Sequence, residues 1–233
     1  MAKKNYYIII DTETTALDHV ADFGAIVVDK QGIIHSECSV LVAEFYGIEP
    51  LFADKNAKGI WGLAGRSKRQ QAYDFMVQNG SRQIASVASV NRWLAKVIAK
   101  YNPELTAYNI AFDKDKLNKS GIITDGFKSS FCLWHLAAGL FAKTKAYKQF
   151  ILDNHLFGNR TELGNLAYKT NAEVMCAFIK GENTLIDEPH TAYEDAKDFE
   201  LPILLACLKK SKWREKSKPY NWRDYQLKDN FKV

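Results

Sequence analysis

Apolar positions fall into two rhythms along this chain, and the switches between them predict its elements. Tyr6-Tyr7-Ile8-Ile9-Ile10 is an unbroken aromatic and β-branched run. Such a run is expected of a strand covered on both faces, and here it ends at Asp11. Two further apolar stretches, 23–28 and 33–42, flank Asp29-Lys30-Gln31-Gly32, a polar, glycine-ended tetrapeptide suited to a hairpin. The chain is therefore predicted to open as a three-stranded antiparallel meander.

From 43 to about 86 the rhythm fades. Gly47, Pro50, Gly59, Gly62 and Gly65 punctuate the segment and Arg66-Ser67-Lys68-Arg69 adds a basic cluster, so it is predicted to be irregular or inserted. Helical spacing returns at Val87, Val90, Leu94, Val97 and Ile98, which predicts a helix over 87–100 stopped by Asn102-Pro103. Residues 105–108 read as a short strand ending at Asn109. A helix starting near Phe112 and stopping before Gly121 then places Asp113 in its first turn. Residues 130–141 and 163–169 look helical, and a final helix runs from Ala192 to about Lys209.

That last helix carries a start signal. Thr191-Ala192-Tyr193-Glu194 matches a capping box, with Thr191 as N-cap and Glu194 at N3. Asp195 is then N4, and His190 falls just outside the helix. Strands first, then strands mixed with helices, predict an α/β fold. Its sheet is expected to have an antiparallel edge.

Composition narrows the class without changing this outline. In 233 residues, 47% apolar and 25% charged, there is enough to bury the core of a globular domain, which excludes a disordered chain. We read one domain over 1–210 and a basic, aromatic C-terminal tail over 211–233. No apolar run approaches the length of a membrane span, and the run at 6–10 is too short for a signal-peptide core. Cys38, Cys132, Cys176 and Cys207 lie far apart without CxxC pairing, as expected of reduced thiols in a cytoplasmic protein.

The formal charge of +5 is unevenly placed. Residues 209–233 hold nine Lys or Arg against three Asp or Glu, so the remainder is close to neutral. Trp213, Tyr220, Trp222, Tyr225 and Phe231 are interleaved with those cations. The mixture suits the phosphates and bases of a nucleic-acid strand, and equally suits a tail packed on the domain through its aromatics.

Three short motifs carry the candidate chemistry. In Asp11-Thr12-Glu13, alternation along an extended chain puts both carboxylates on one side, where they could share cations. Asn109-Ile110-Ala111-Phe112-Asp113 sets a carboxylate at a helix start, where the dipole alone already favours one. His190-Thr191-Ala192-Tyr193-Glu194-Asp195 adds an imidazole and a further carboxylate.

Taken in order, these motifs resemble those of the DnaQ-like 3′-to-5′ exonuclease superfamily in its DEDDh branch. The first is similar to Asp11-Thr12-Glu13-Thr14-Thr15, the second to Tyr108-Asn109-Ile110-Ala111-Phe112-Asp113, the third to His190-Thr191-Ala192-Tyr193-Glu194-Asp195-Ala196. Asp22-Phe23-Gly24-Ala25-Ile26-Val27-Val28-Asp29 adds similarity, and Phe131-Cys132-Leu133 and 163–167 add it more loosely. The likeness covers roughly residues 6–208 and leaves 43–86 and the tail unmatched. Ala16 departs from the glycine usual in motif one, which alters the turn after Glu13. His190, five residues before Asp195, marks the DEDDh branch; the tyrosine of the sister branch would stand where Thr191 does.

The resemblance implies an RNase H-like fold, a mixed five-stranded sheet of the antiparallel meander plus parallel strands flanked by helices, and a two-metal exonuclease. Asp11, Glu13, Asp113 and Asp195 would hold two Mg²⁺ or Mn²⁺ ions roughly 4 Å apart. His190, an imidazole titrating near pH 6.5 in isolation, would take a proton from the attacking water. Thr12, Thr14, Thr15, Asn109 and Phe112 would contact substrate. The expected substrate is the 3′ end of DNA, single-stranded, with nucleoside 5′-monophosphates released. The same residues serve RNA in an exoribonuclease or oligoribonuclease. The family also includes proofreading subunits, so a DNA polymerase or replication factor is an expected partner, docked through 43–86 or the tail.

Overall fold

The computed structural model describes residues 5–52, 60–160, 164–182, 185–186 and 188–227. Strands β1 (Tyr6–Thr14), β2 (Val20–Asp29) and β3 (Ile34–Val42) form the meander, each antiparallel to the next. After helix α1 (Ile60–Gln78), strand β4 (Gln83–Ala85) lies parallel to β3 at the sheet edge. Helix α2 (Val87–Tyr101) leads to β5 (Glu104–Ala107), parallel to β1, and helix α3 (Ile110–Lys119) to β6 (Ser129–Cys132), parallel to β5. The resulting six-stranded mixed sheet has the order β4-β3-β2-β1-β5-β6 and is flanked by helices.

Helix α4 (Leu133–Ala137) runs into a π-helical turn at Ala138–Ala142, followed by α5 (Lys145–Asp153). Strands β7 (Phe157–Arg160), β8 (Leu166–Tyr168) and β9 (Gln226–Leu227) make a small second sheet, with α6 (Ala172–Lys180) after β8. The chain then enters α7 (Ala192–Glu194), winds as a π-helix over Asp195–Glu200, and continues as α8 (Leu201–Leu208).

Side-chain parity on β1 decides which layer each residue meets. Ile8 and Ile10 join Phe23, Ala25 and Val27 in a core beneath α2 and α3. Tyr7 and Ile9 join Ile26 and Val28 in the opposite core, beneath α4, α6 and α8. Burying each such side chain contributes about 1.5–3 kcal/mol, so the two-sided run is what makes β1 central.

Four expectations need correction. The sheet has six strands rather than five, because the edge strand β4, three residues long, is too short to show a period. The segment 43–86 is not irregular throughout: it holds β4 and the 19-residue α1. In the described part of α1 only Tyr73 is fully buried, against Ala21, Leu41 and Leu51, so the helix docks along a narrow seam that sequence periodicity does not reveal. The helix expected over 130–141 begins only at Leu133, its first residues belonging to β6. The helix expected over 163–169 is strand β8 instead, held by β7 and by β9 from nearly sixty residues away; Leu163 lies outside the described residues.

The tail packs onto the domain through its aromatics. Trp213 is buried against Tyr7 and Phe131, and Tyr220 stacks on both Trp134 and Tyr225. Arg214 grips buried Glu104 at the start of β5 with two hydrogen bonds of 2.6 and 2.8 Å. Residues 211–227 are thus built into the fold, while Phe231 lies outside the described residues. All four cysteines are free thiols.

Candidate active site

β1 runs three residues past the Asp11 expected to close it. Asp11 pairs with Gly24 of β2 and Glu13 with Asp22, so both carboxylates stand on strand backbone rather than in a loop. They share the parity of Tyr7 and Ile9 and face the layer that contains the last helix. Thr12 has the opposite parity, and its hydroxyl donates to Asp113 Oδ1 at 2.9 Å. That bond orients the first-turn carboxylate of α3.

The third motif reaches β1 across a missing side chain. A Cβ on Gly24 would lie 2.2 Å from the Ala192 carbonyl carbon, so only glycine lets α7 rest on β2 at this point. Asp22 Oδ2 accepts from the Ala192 N–H at 2.9 Å and also pairs with Arg82 Nη2 at 3.1 Å. The capping box itself does not form. Thr191 holds the N-cap position, but its hydroxyl makes no cap bond, and the Glu194 carboxylate goes to Arg82 Nη2 at 2.6 Å. Asp22 satisfies the helix start from outside, so no local box is needed.

His190 precedes this helix with φ +54°, a left-handed conformation histidine tolerates better than most residues. Its side chain is 53% exposed, and Nδ1 stands 3.9 Å from Glu13 Oε1. Glu13, His190 and Asp195 each offer a ligand atom, all within 4.8 Å of one another.

A cavity of about 450 Å³ opens over these groups. Its wall includes the four predicted carboxylates and His190, together with Glu188 and Glu200, which the motifs did not single out. Burial pushes every carboxylate upward. Glu13 rises to about 8 although Arg69 opposes the shift, Asp113 to about 7 against the Thr12 hydrogen bond. Asp195 rises to about 9 by burial and then by the charges of Glu188 and Glu13, and Glu188 to about 7 by burial and Glu173. Asp11 and Glu200 are raised well above the usual range by burial and then by neighbouring carboxylates.

Beside one guanidinium, that of Arg69, so many buried carboxylates cannot all ionise near neutrality without further positive charge among them. Asp195 Oδ1 and Glu200 Oε2 are buried with no hydrogen-bond partner among the described residues. Hard oxygen donors in excess, two of them unpartnered, fit divalent cations such as Mg²⁺ or Mn²⁺.

Of the predicted substrate contacts, Thr12, Thr14, Asn109 and Phe112 line the cavity; Thr15 does not. Thr15 is fully buried, its hydroxyl donating to Glu49. Phe112 and Phe52 line the same cavity with 44% and 39% of their surface exposed. Arg69 of α1, the one Arg or Lys among the described lining residues, lies 3.2 Å from Glu13 Oε2. It belongs to the basic cluster visible in sequence, but nothing there tied it to motif one.

No family model, no curated protein and no solved structure matches the chain. None of the described helices is long and apolar enough to cross a membrane.

Proposed function

We propose that the protein is a metal-dependent 3′-to-5′ exonuclease that removes nucleoside 5′-monophosphates from single-stranded DNA ends. One observation carries this reading. Asp11, Glu13, Asp113 and Asp195, from segments about a hundred and eighty residues apart, line one cavity with His190 at its rim. An RNase H-like assignment is supported by the antiparallel meander joined through β1 to two parallel strands, with the carboxylates on the central strand and its neighbouring helices.

The four carboxylates would hold two divalent cations, which when bound would neutralise the scissile phosphodiester and stabilise the attacking and leaving oxygens. His190, exposed at the rim, accepts the proton of the attacking water, a contribution typically worth 10²–10⁴-fold. Glu13, 3.9 Å away, favours the resulting imidazolium. Phe52 and Phe112 supply exposed rings on which unpaired bases can stack. Thr12 keeps the Asp113 carboxylate in place.

A time course on 5′-labelled single- and double-stranded DNA and RNA, with Mg²⁺, Mn²⁺ or chelator, tests the proposal. A metal-dependent ladder shortening from the 3′ end of single-stranded DNA is expected. Internal or metal-independent cleavage would overturn the mechanism, and degradation of RNA alone would overturn the substrate.

A further inference from the structure

Glu200 belongs to no motif, yet it is 3% exposed and lines the same cavity as Asp11, Asp113 and Asp195. Helix winding explains how it gets there. In an α-helix five residues turn through about 500°, which would leave Glu200 about 140° around from Asp195. Here Asp195–Glu200 is wound as a π-helix, with i→i+5 hydrogen bonds and roughly four and a half residues per turn, which brings both carboxylates toward one face. Such wide turns are rare and concentrate at functional sites.

The two oxygens of Glu200 have different surroundings. Oε1 accepts from the Tyr108 N–H at 3.1 Å, next to Asn109 of the second motif. Oε2 is buried with no hydrogen-bond partner among the described residues, as is Asp195 Oδ1. An anchored carboxylate whose second oxygen is buried and unpartnered among other carboxylates is chemically suited to donate to a divalent cation.

We propose that Glu200 is a fifth carboxylate of the cation site, which its Oε2 would join as an oxygen donor while the Tyr108 N–H holds its other oxygen. The inference rests on the two-cation reading above. It assigns a role to the π-helical turn: to carry Asp195 and Glu200 to the same cation cluster from one helix. Loss of an anchored carboxylate beside a metal lowers affinity roughly 10- to 100-fold.

Mn²⁺ binding by the full chain, read by isothermal titration and by electron paramagnetic resonance of free Mn²⁺, is the test. Wild type, Glu200→Gln, Glu200→Asp and Asp11→Asn are compared, each with its metal-free melting curve. Glu200→Gln keeps an acceptor for the Tyr108 N–H, and Glu200→Asp keeps the charge but withdraws it by one methylene. Both are expected to melt cooperatively and to lose tenfold or more in affinity at one of two sites. Wild-type Mn²⁺ affinity in either variant, with binding lost in Asp11→Asn, overturns the role of Glu200 and leaves the two-cation reading standing. Failure of the wild type itself to bind Mn²⁺ overturns both.

Discussion

Asp22 Oδ2 accepts the Ala192 N–H at 2.9 Å, and this one bond joins the second strand to the start of the helix that carries Asp195. The same oxygen faces Arg82 Nη2 at 3.1 Å, and the side chains of both residues are completely buried. Arg82 reaches on to Glu194 at 2.6 Å, so one guanidinium fixes strand and helix together. Burial raises the Asp22 carboxyl to about 6 although Arg82 opposes the shift.

Asp22→Ala therefore leaves Arg82 buried with half of its compensation and leaves the Ala192 N–H without an acceptor. Breaking a buried pair by removing one partner costs about 3–5 kcal/mol. Urea unfolding should show a loss in that range, with Asp22→Asn milder because it retains an acceptor for the N–H. A loss under about 1 kcal/mol, the worth of an exposed pair, would mean that the network does not hold the helix.

His190→Ala should lower turnover by about 10²–10⁴-fold while leaving Mn²⁺ affinity within a few-fold of wild type. The imidazole is half exposed at the rim, whereas Asp113 and Asp195 are buried. Binding and turnover should thus separate in this variant. Full hydrolysis would remove His190 from proton transfer, and lost Mn²⁺ binding would make it a ligand instead.

The metal-free protein should become less stable as pH rises from about 4 to 9. Asp113, Glu13 and Asp195 have carboxyls raised to about 7, about 8 and about 9, whereas in the unfolded chain such groups ionise near 4. Across this window the folded state binds protons that the unfolded state has released, so stability is full below the unfolded values and declines up to the folded ones. Divalent cations prefer the ionised carboxylates, so saturating Mg²⁺ should flatten the decline. Urea midpoints measured at several pH values in chelator and in Mg²⁺ give the comparison. A midpoint in chelator that rises with pH would contradict the buried-carboxylate assignment.

The legible parts of this molecule are those whose physics is local. The run at 6–10 announces a two-sided strand because both faces of β1 meet apolar cores. Its continuation through Asp11, Thr12 and Glu13 was hidden by polarity, since there the strand is held by pairing with β2 instead of burial of apolar side chains. β8 gives little strand signal because it is three residues long and one of its two partners, β9, comes from the C-terminus. The capping box failed for a related reason: Asp22 and Arg82, both distant in sequence, took the groups that the box would have paired. Glu200 was missed because a 3.6-residue period turns it away from Asp195, and the π-winding that returns it leaves no plain mark in the sequence.

Arg69 supplies the sharpest remaining contrast between the metal-free and cation-bound states. Its guanidinium stands 3.2 Å from Glu13 Oε2, on a carboxylate proposed to hold a cation, and also donates toward the Phe52 carbonyl. A fixed positive charge there favours the ionised form of Glu13 when no cation is present and repels a cation that arrives. Removing it in Arg69→Ala should therefore tighten Mn²⁺ binding and lower the metal-free melting temperature together. Both side chains are partly solvated, so the interaction is worth about 1 kcal/mol, roughly fivefold in Kd. Mn²⁺ titration and melting of Arg69→Ala in chelator report the two quantities independently. Weaker Mn²⁺ binding in the variant would reverse the assignment, making Arg69 a support for the cation site rather than its competitor.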